Sequence, residues 1–268
     1  MSNEHHEFDL NAYSPMEVAH RVESAVKVKA FVPSFRLVML AILAGAFIAF
    51  GALGYTLVVT DSTLGIGPTR FLGGIAFSVG LVLVIIGGAE LFTGNALMIM
   101  ALMNKHITKS LLLRNWSIVY VGNFVGAMII AIMVVLSGVL DQTSISQTVA
   151  KIAEGKLSLS ASEAFFRGIL CNILVCLAVW MSFAARRVSG KILAILFPIT
   201  TFVSVGFEHS IANMYVIPVA MLSGDVPVQL SGFFHNLFFV TVGNIIGGGV
   251  FVALVYWATY LKGDTEKS

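Results

Sequence analysis

Six long apolar runs constrain this sequence more than any other feature, because each can cross the roughly 30 Å hydrocarbon core of a bilayer as a helix. The runs cover residues 34–59, 70–103, 113–140, 164–185, 192–222 and 232–261. Only 11% of the residues are charged, against about a quarter in globular proteins. The sequence therefore predicts an all-α membrane protein with six transmembrane helices. Its basic residues are dispersed among loops and give no indication of nucleic-acid binding.

Two six-residue segments, 90–95 and 208–213, interrupt the second and fifth runs, which are too long for single plain helices. Each segment opens with a glutamate and closes with an asparagine: Glu90 and Asn95, Glu208 and Asn213. Ionisable groups at bilayer depth are costly and normally face the protein interior or an aqueous path. Paired interruptions at corresponding places in two halves indicate a transport site built from broken helices.

The two halves of the chain also repeat one another. Asn115 and Asn123 in the third run recur as Asn236 and Asn244 in the sixth, at a constant offset of 121. With three spans in each half, the two copies must lie in opposite orientations, as an inverted 3+3 repeat does. We therefore expect a channel domain over residues 34–262, with repeats at 34–140 and 160–262.

The placement of Lys and Arg orients the chain, since cytoplasmic loops carry an excess of them. One side of the predicted membrane holds twelve of these residues and the other holds four, which places both termini in the cytoplasm. Residues 1–33 form a cytoplasmic segment in which Ser14, Pro15 and Glu17 predict the start of an amphipathic helix. This helix either anchors on the protein or acts as a pH-sensitive lid through the tail histidines His5, His6 and His20. Residues 263–268 form a cytoplasmic tail.

In each broken helix the second half begins near the middle of the membrane, so that two helix N-termini with unpaired N–H groups point to the same region. Their partial positive charge favours an anion as the substrate. His209 lies at one break and suits proton exchange, unless it is a buried neutral histidine that satisfies a backbone carbonyl. Thr93 is expected to be its partner from the other half. Asn172 supplies either an amide to the same place or helix packing. Glu90 and Glu208 are expected to support the loops by holding their N–H groups, and Asn95 and Asn213 are expected to support the same loops.

Other classes of protein fit these residues less well. An intramembrane enzyme or a haem site would need a His-Glu-x-x-His motif or a second histidine near His209, and the sequence has neither. Neither a metal nor a cofactor is predicted. Cys171 and Cys176 suit neither a disulfide framework nor a zinc site, and we interpret them as small buried side chains. An aquaglyceroporin-like channel for neutral solutes is the alternative among pores, although its Asn-Pro-Ala signature is absent.

Three segments closely resemble the formate/nitrite transporter family: GAELFTGN at 88–95, CNILVCLAVW at 171–180 and GFEHSIANM at 206–214. The resemblance extends from residue 8 to residue 261. It implies a homopentamer of aquaporin-like six-helix protomers, each with its own pore, in the inner membrane of a bacterium or archaeon. It also implies a small monovalent anion as the substrate, with formate first and nitrite or hydrosulfide as alternatives.

The resemblance further assigns roles to residues of this sequence. The family's central residues fall on Thr93, Asn172 and His209. Its hydrophobic constrictions fall on five apolar residues: Phe77, Leu81, Leu91, Phe92 and Phe202. Its vestibule lysines, which attract anions at the two mouths, fall on Lys27 and Lys156. Together these features predict a pH-dependent channel or transporter in which the anion meets the central histidine and moves with a proton.

Overall fold

The computed structural model describes residues 12–262, whose regular secondary structure is entirely helical. Ten helices follow one another along the chain: α1 (Pro15–Ala30), α2 (Ser34–Val59), α3 (Ile66–Gly87), α4 (Gly94–Met103), α5 (Lys109–Leu136), α6 (Thr143–Leu157), α7 (Ala161–Ala184), α8 (Val188–Val205), α9 (Ser210–Ser223) and α10 (Leu230–Tyr260). Six of them are long and apolar enough to cross a membrane: α2, α3, α5, α7, α8 and α10. The prediction of an all-α multi-pass membrane protein is therefore confirmed.

The second and fifth predicted runs each consist of a long helix, a short loop and a second, shorter helix. The first loop covers residues 88–93, between α3 and α4, and the second loop covers residues 206–209, between α8 and α9. Gly88 and Gly206 end the long helices with φ angles of 81° and 85°, a left-handed conformation that a Cβ disfavours. Both loops end sooner than the expected breaks at 90–95 and 206–213, because the chain becomes helical again at Gly94 and Ser210.

Close helix contacts are made in the same way in the two halves. In the first half α2 packs on α3 and α5, and in the second half α7 packs on α8 and α10, while α3 and α8 join the halves. A Cβ at Gly126 would collide with the carbonyl oxygen of Ile42, and one at Gly247 would collide with that of Ile169. Small residues let membrane helices approach closely, so these glycines set the α2–α5 and α7–α10 separations.

The amphipathic helix α1 starts as predicted. Ser14 Oγ accepts a hydrogen bond from the Glu17 amide, and the Glu17 carboxylate accepts one from the Ser14 amide. This backbone hydrogen bond from Ser14 lowers the pKa of Glu17 below its ordinary value. Ala19, Val22, Val26 and Ala30 form a buried apolar stripe, while Met16 is 45% exposed. The apolar stripe of α1 therefore rests on the protein; His5 and His6 lie outside the described residues.

Helix α6 (Thr143–Leu157) was not expected from the sequence. It lies between two apolar runs and, like α1, is short and amphipathic, with buried residues Ile145, Val149 and Ala153. It packs on α9, as α1 packs on α4. We call the end of the molecule that carries α1 the α1 face, and the end that carries α6 the α6 face.

Candidate functional site

Two asparagines, one on α5 and one on α10, hold the two loops. Asn123 Oδ1 accepts the Phe92 amide and Asn244 Oδ1 accepts the Ser210 amide, both at 2.9 Å. The Nδ2 groups of the same asparagines donate to the carbonyls of Glu90 and Glu208, at 2.9 and 3.0 Å. Each asparagine thus satisfies a buried donor and a buried acceptor at its loop. From the sequence, the glutamate side chains were expected to hold the loop N–H groups.

The two glutamate side chains bind lysines instead. Lys29 Nζ lies 3.0 Å from Glu90 Oε2, and Lys156 Nζ lies 3.0 Å from both carboxylate oxygens of Glu208. The lysine backbones are fixed as well, because their carbonyls accept hydrogen bonds from asparagine side chains on α5 and α10, Asn115 and Asn236. The C-terminal turns of α1 and α6 therefore each deliver one ammonium to one loop.

Asn95 and Asn213 complete these two clusters. Their Nδ2 groups donate to the carboxylates of Glu90 and Glu208, at 2.9 and 2.7 Å. They also donate to Asn115 Oδ1 and Asn236 Oδ1, at 2.9 and 2.8 Å. Paired and hydrogen-bonded in this way, each carboxylate is held in the protein interior at a tolerable cost.

Thr93 and His209 meet where the two loops approach each other. Thr93 Oγ1 lies 2.9 Å from His209 Nε2, and both side chains are buried. The Ala212 amide donates to His209 Nδ1 at 3.1 Å, so the ring caps helix α9. A neutral ring whose Nδ1 accepts carries its proton on Nε2, which then donates to Thr93 Oγ1. The hydroxyl hydrogen of Thr93 is left available for a third partner.

Three spaces follow one another between the two faces. A cavity of about 370 Å³ opens on the α1 face and another of about 100 Å³ on the α6 face, with a void of about 10 Å³ between them beside His209. Leu81 and Leu91 line both the first cavity and the void, and Phe77 and Phe202 line both the void and the second cavity. The two phenylalanine rings meet edge to face, with their centroids 5.6 Å apart. Two apolar constrictions therefore flank the void that His209 lines, and His209 also lines the second cavity.

Comparison with known proteins identifies the family of this chain. A family model described as formate/nitrite transporter matches residues 16–258. The chain belongs to this family.

Members of the formate/nitrite transporter family that resemble this chain include curated and solved proteins. The probable formate transporter of Methanothermobacter thermautotrophicus is 41% identical, over 93% of this chain and 97% of its own length. The formate channel FocA of Escherichia coli is 38% identical, over 95% of this chain and 96% of its own length. A solved pentameric formate channel with formate bound is 36% identical, with a TM-score of 0.77, over 85% of this chain and 98% of the solved one. A solved FNT family ion channel is 30% identical, with a TM-score of 0.82, over 91% and 98%.

Two residues assigned from the family resemblance occupy places other than expected. Lys27 is exposed, and the lysine that binds the first loop is Lys29, which no local motif marks. Phe92 lines none of the three spaces; its ring packs edge to face against Trp116 and Tyr120 of α5, with centroids 5.9 and 4.8 Å away.

Asn172, which was expected to supply either an amide to the central pair or helix packing, contacts backbone groups. Its Nδ2 donates to the backbone carbonyls of Thr93 and Asn244, at 3.1 and 2.6 Å, so both amide hydrogens are taken. The asparagine thus holds the loops and does not present its amide group to the central void.

Proposed function

We propose that this formate/nitrite transporter family member is a pH-dependent channel or transporter for formate. The observation that carries the proposal is the Thr93–His209 hydrogen bond beside a void between two apolar constrictions. Two curated relatives named for formate, and one relative solved with formate bound, support formate as the first substrate. Nitrite and hydrosulfide are the alternatives, because they too are small monovalent anions.

Basic residues collect the anion at both mouths. Lys29, Arg36 and Lys191 line the cavity on the α1 face, and Lys156 lines the cavity on the α6 face. Clustered positive charge in a cleft raises the local concentration of anions. Since Glu90 partly neutralises Lys29 at 3.0 Å, this mouth attracts an anion without trapping it, and conduction requires such weak binding.

The two constrictions disfavour large substrates and substrates that carry an unpaired charge. An unpaired anion loses its hydration in an apolar neck, which carries a large free-energy cost. Leu81 and Leu91 form one neck and Phe77 and Phe202 the other, and the void between them measures only about 10 Å³. Side chains must move for any substrate to pass, and the smallest substrate requires the least movement. This favours formate over acetate or lactate.

The central pair offsets the desolvation cost by hydrogen bonding. The Thr93 hydroxyl donates to the arriving anion, while His209 Nε2–H donates to Thr93 and the positive end of α9 lies beside them. For proton transfer, His209 Nδ1 releases the Ala212 amide and takes up a proton from solution. The Nε2 proton then passes to the Thr93 hydroxyl, and the hydroxyl proton passes to formate, which becomes formic acid. The neutral acid then crosses the second neck without a bare charge, and the net event is symport of one anion and one proton.

Orientation and assembly complete the proposal. The excess of Lys and Arg in the loops of the α1 face supports an orientation with that face, and both termini, in the cytoplasm of a bacterium or archaeon. The relative solved with formate bound is pentameric, which supports a homopentamer in the lipid bilayer of the inner membrane. Large apolar side chains exposed along the spans, such as Phe35 and Leu136, are then covered by lipid or by neighbouring protomers.

Flux through the purified protein in vesicles tests the function. Formate, nitrite, hydrosulfide, acetate and lactate uptake are measured at acidic and neutral outside pH, with glycerol swelling in the same vesicles. We expect formate to be the fastest of the carboxylates, and its uptake to be faster at acidic pH. Swelling in glycerol without any anion uptake would assign the protein to the neutral-solute class instead.

A further inference from the structure

Asn172 connects the two loops that carry the central pair. One of its amide hydrogens bonds the carbonyl of Thr93, in the first loop, at 3.1 Å. The other bonds the carbonyl of Asn244, at 2.6 Å, and the side chain of Asn244 holds the second loop through Ser210 and Glu208. A single buried side chain on α7 therefore fixes the first loop relative to the asparagine that fixes the second.

This connection has no counterpart in the other half of the molecule. Helices α2 and α7 match at an offset of 127, as the Ala41 and Gly168 carbonyls that accept from Asn123 and Asn244 show. At that offset the position of Asn172 is occupied in α2 by Gly45, where a Cβ would collide with the Asn123 carbonyl oxygen. In the first half the backbones of α2 and α5 touch at this point, whereas in the second half the amide side chain of Asn172 lies between α7 and α10.

Gly248 makes the space for the inserted side chain. A Cβ at this position would lie 2.6 Å from Asn172 Nδ2 and from Cys176 Sγ. The matching residue of α5, at the offset of 121, is Ala127, so the other half tolerates a Cβ here. Gly248 belongs to the π-helical segment Gly247–Leu254 of α10, and such segments widen a helix locally. Cys176 Sγ adds a second, weaker contact to the Thr93 carbonyl, at 3.5 Å.

We propose that Asn172, seated against Gly248, is a positioning residue that fixes Thr93 against His209 and thereby sets the selectivity for the smallest carboxylate. The inference rests on the proposed function and deepens it. With the Thr93 carbonyl held, the Thr93 hydroxyl stays 2.9 Å from His209 Nε2, and the central void stays small. Releasing the Thr93 carbonyl lets the first loop move, so that a larger anion meets less resistance and a formate ion loses its aligned donor.

Relative fluxes of formate and acetate in vesicles test this proposal, with Gly248→Ala and Asn172→Ala measured singly and together. We expect each single variant to lower the formate-to-acetate flux ratio at least about threefold, because small displacements at a site have large kinetic effects. The double variant should fall no further than the single ones, since both changes release the same contact. Gly249→Ala, in the same π segment but facing Ile99, is the matched control and should keep the wild-type ratio.

Two results would overturn the proposal. One is a wild-type ratio in Asn172→Ala, a variant that adds no bulk and that tests the proposal even if Gly248→Ala does not fold. The other is an additive loss in the double variant, which would mean that the two positions act independently. Wild-type vesicles that take up no formate would refute the proposed substrate instead, and the ratio would then be measured between the two fastest anions of the panel.

Discussion

The first and second loops of this protein share one frame but differ in the residue that follows the glutamate. In both, an asparagine from α5 or α10 holds a loop amide and a loop carbonyl, and a lysine binds the loop glutamate. At the offset of 118 that relates Glu90 to Glu208, however, Leu91 corresponds to His209. Leu91 lines an apolar constriction, while His209 bonds Thr93. The repeated frame thus positions both loops, and the residue after the glutamate is an apolar lining residue in the first loop and a polar partner in the second.

The two lysine–glutamate clusters differ in their hydrogen bonds and in their exposure. Lys29 Nζ divides its bonds between Glu90 and Asn95 Oδ1, whereas Lys156 Nζ bonds both oxygens of Glu208. Asn213 Oδ1, the counterpart of Asn95 Oδ1, finds no hydrogen-bond partner among the described residues. The Lys156 side chain is also less exposed, at 17% against 28% for Lys29. The second cluster is therefore the drier ion pair, and breaking it should cost more.

The largest effect is expected from removing the asparagines of the shared frame. Asn123→Ala and Asn244→Ala each leave a buried amide and a buried carbonyl without their side-chain partner, and each removes a further hydrogen bond to a carbonyl of α2 or α7. We expect each change to lower the free energy of unfolding by about 3 kcal/mol or more, measured by denaturation in detergent micelles. If one variant is destabilised and the other keeps wild-type stability, the two frames are not equivalent.

A smaller and unequal effect is expected from the lysines. Lys156→Met leaves Glu208 buried without its cation and should cost about 3 kcal/mol, with less for Lys29→Met because that pair is wetter. Formate flux should fall in the same order. Lys27→Met is the matched control, since Lys27 is an exposed lysine on the same helix, and it should keep wild-type stability and nearly wild-type flux. A greater loss of flux in Lys27→Met than in Lys29→Met would return the vestibule role to Lys27.

The smallest effect is expected at the constrictions. Leu91→Ala and Phe202→Ala each widen one neck and should raise acetate flux about tenfold, the lower end of the effect of one methylene in an apolar site. Phe92→Leu is the control, because the Phe92 ring packs on α5 and lines no part of the path. It should leave acetate flux unchanged. A rise in acetate flux in Phe92→Leu equal to that in Leu91→Ala would place Phe92 in the path after all.

Much of this arrangement could be predicted from the sequence. Hydropathy located the six spans, because only a long apolar helix satisfies its backbone inside a membrane. The twin segments located both loops. Helix α6 was missed because residues 143–157 carry too many polar side chains to stand out by hydropathy. Phe92 was assigned to a constriction, although its ring packs on α5, because the direction of a side chain in a non-helical loop does not follow from spacing alone. Lys29 was missed because spacing alone does not show which lysine of α1 faces the core.

The most direct test of the central claim is formate uptake into vesicles by His209→Leu, compared with wild type at acidic and neutral outside pH. This change gives both loops an apolar residue at the matched position and keeps the frame. We predict that uptake falls at least about tenfold and loses its dependence on pH, since a lost polar contact in a dry site costs about a kcal/mol or more. Equal recovery of folded protein excludes a loss of structure. Uptake at the wild-type rate with the wild-type pH dependence would contradict the role of His209.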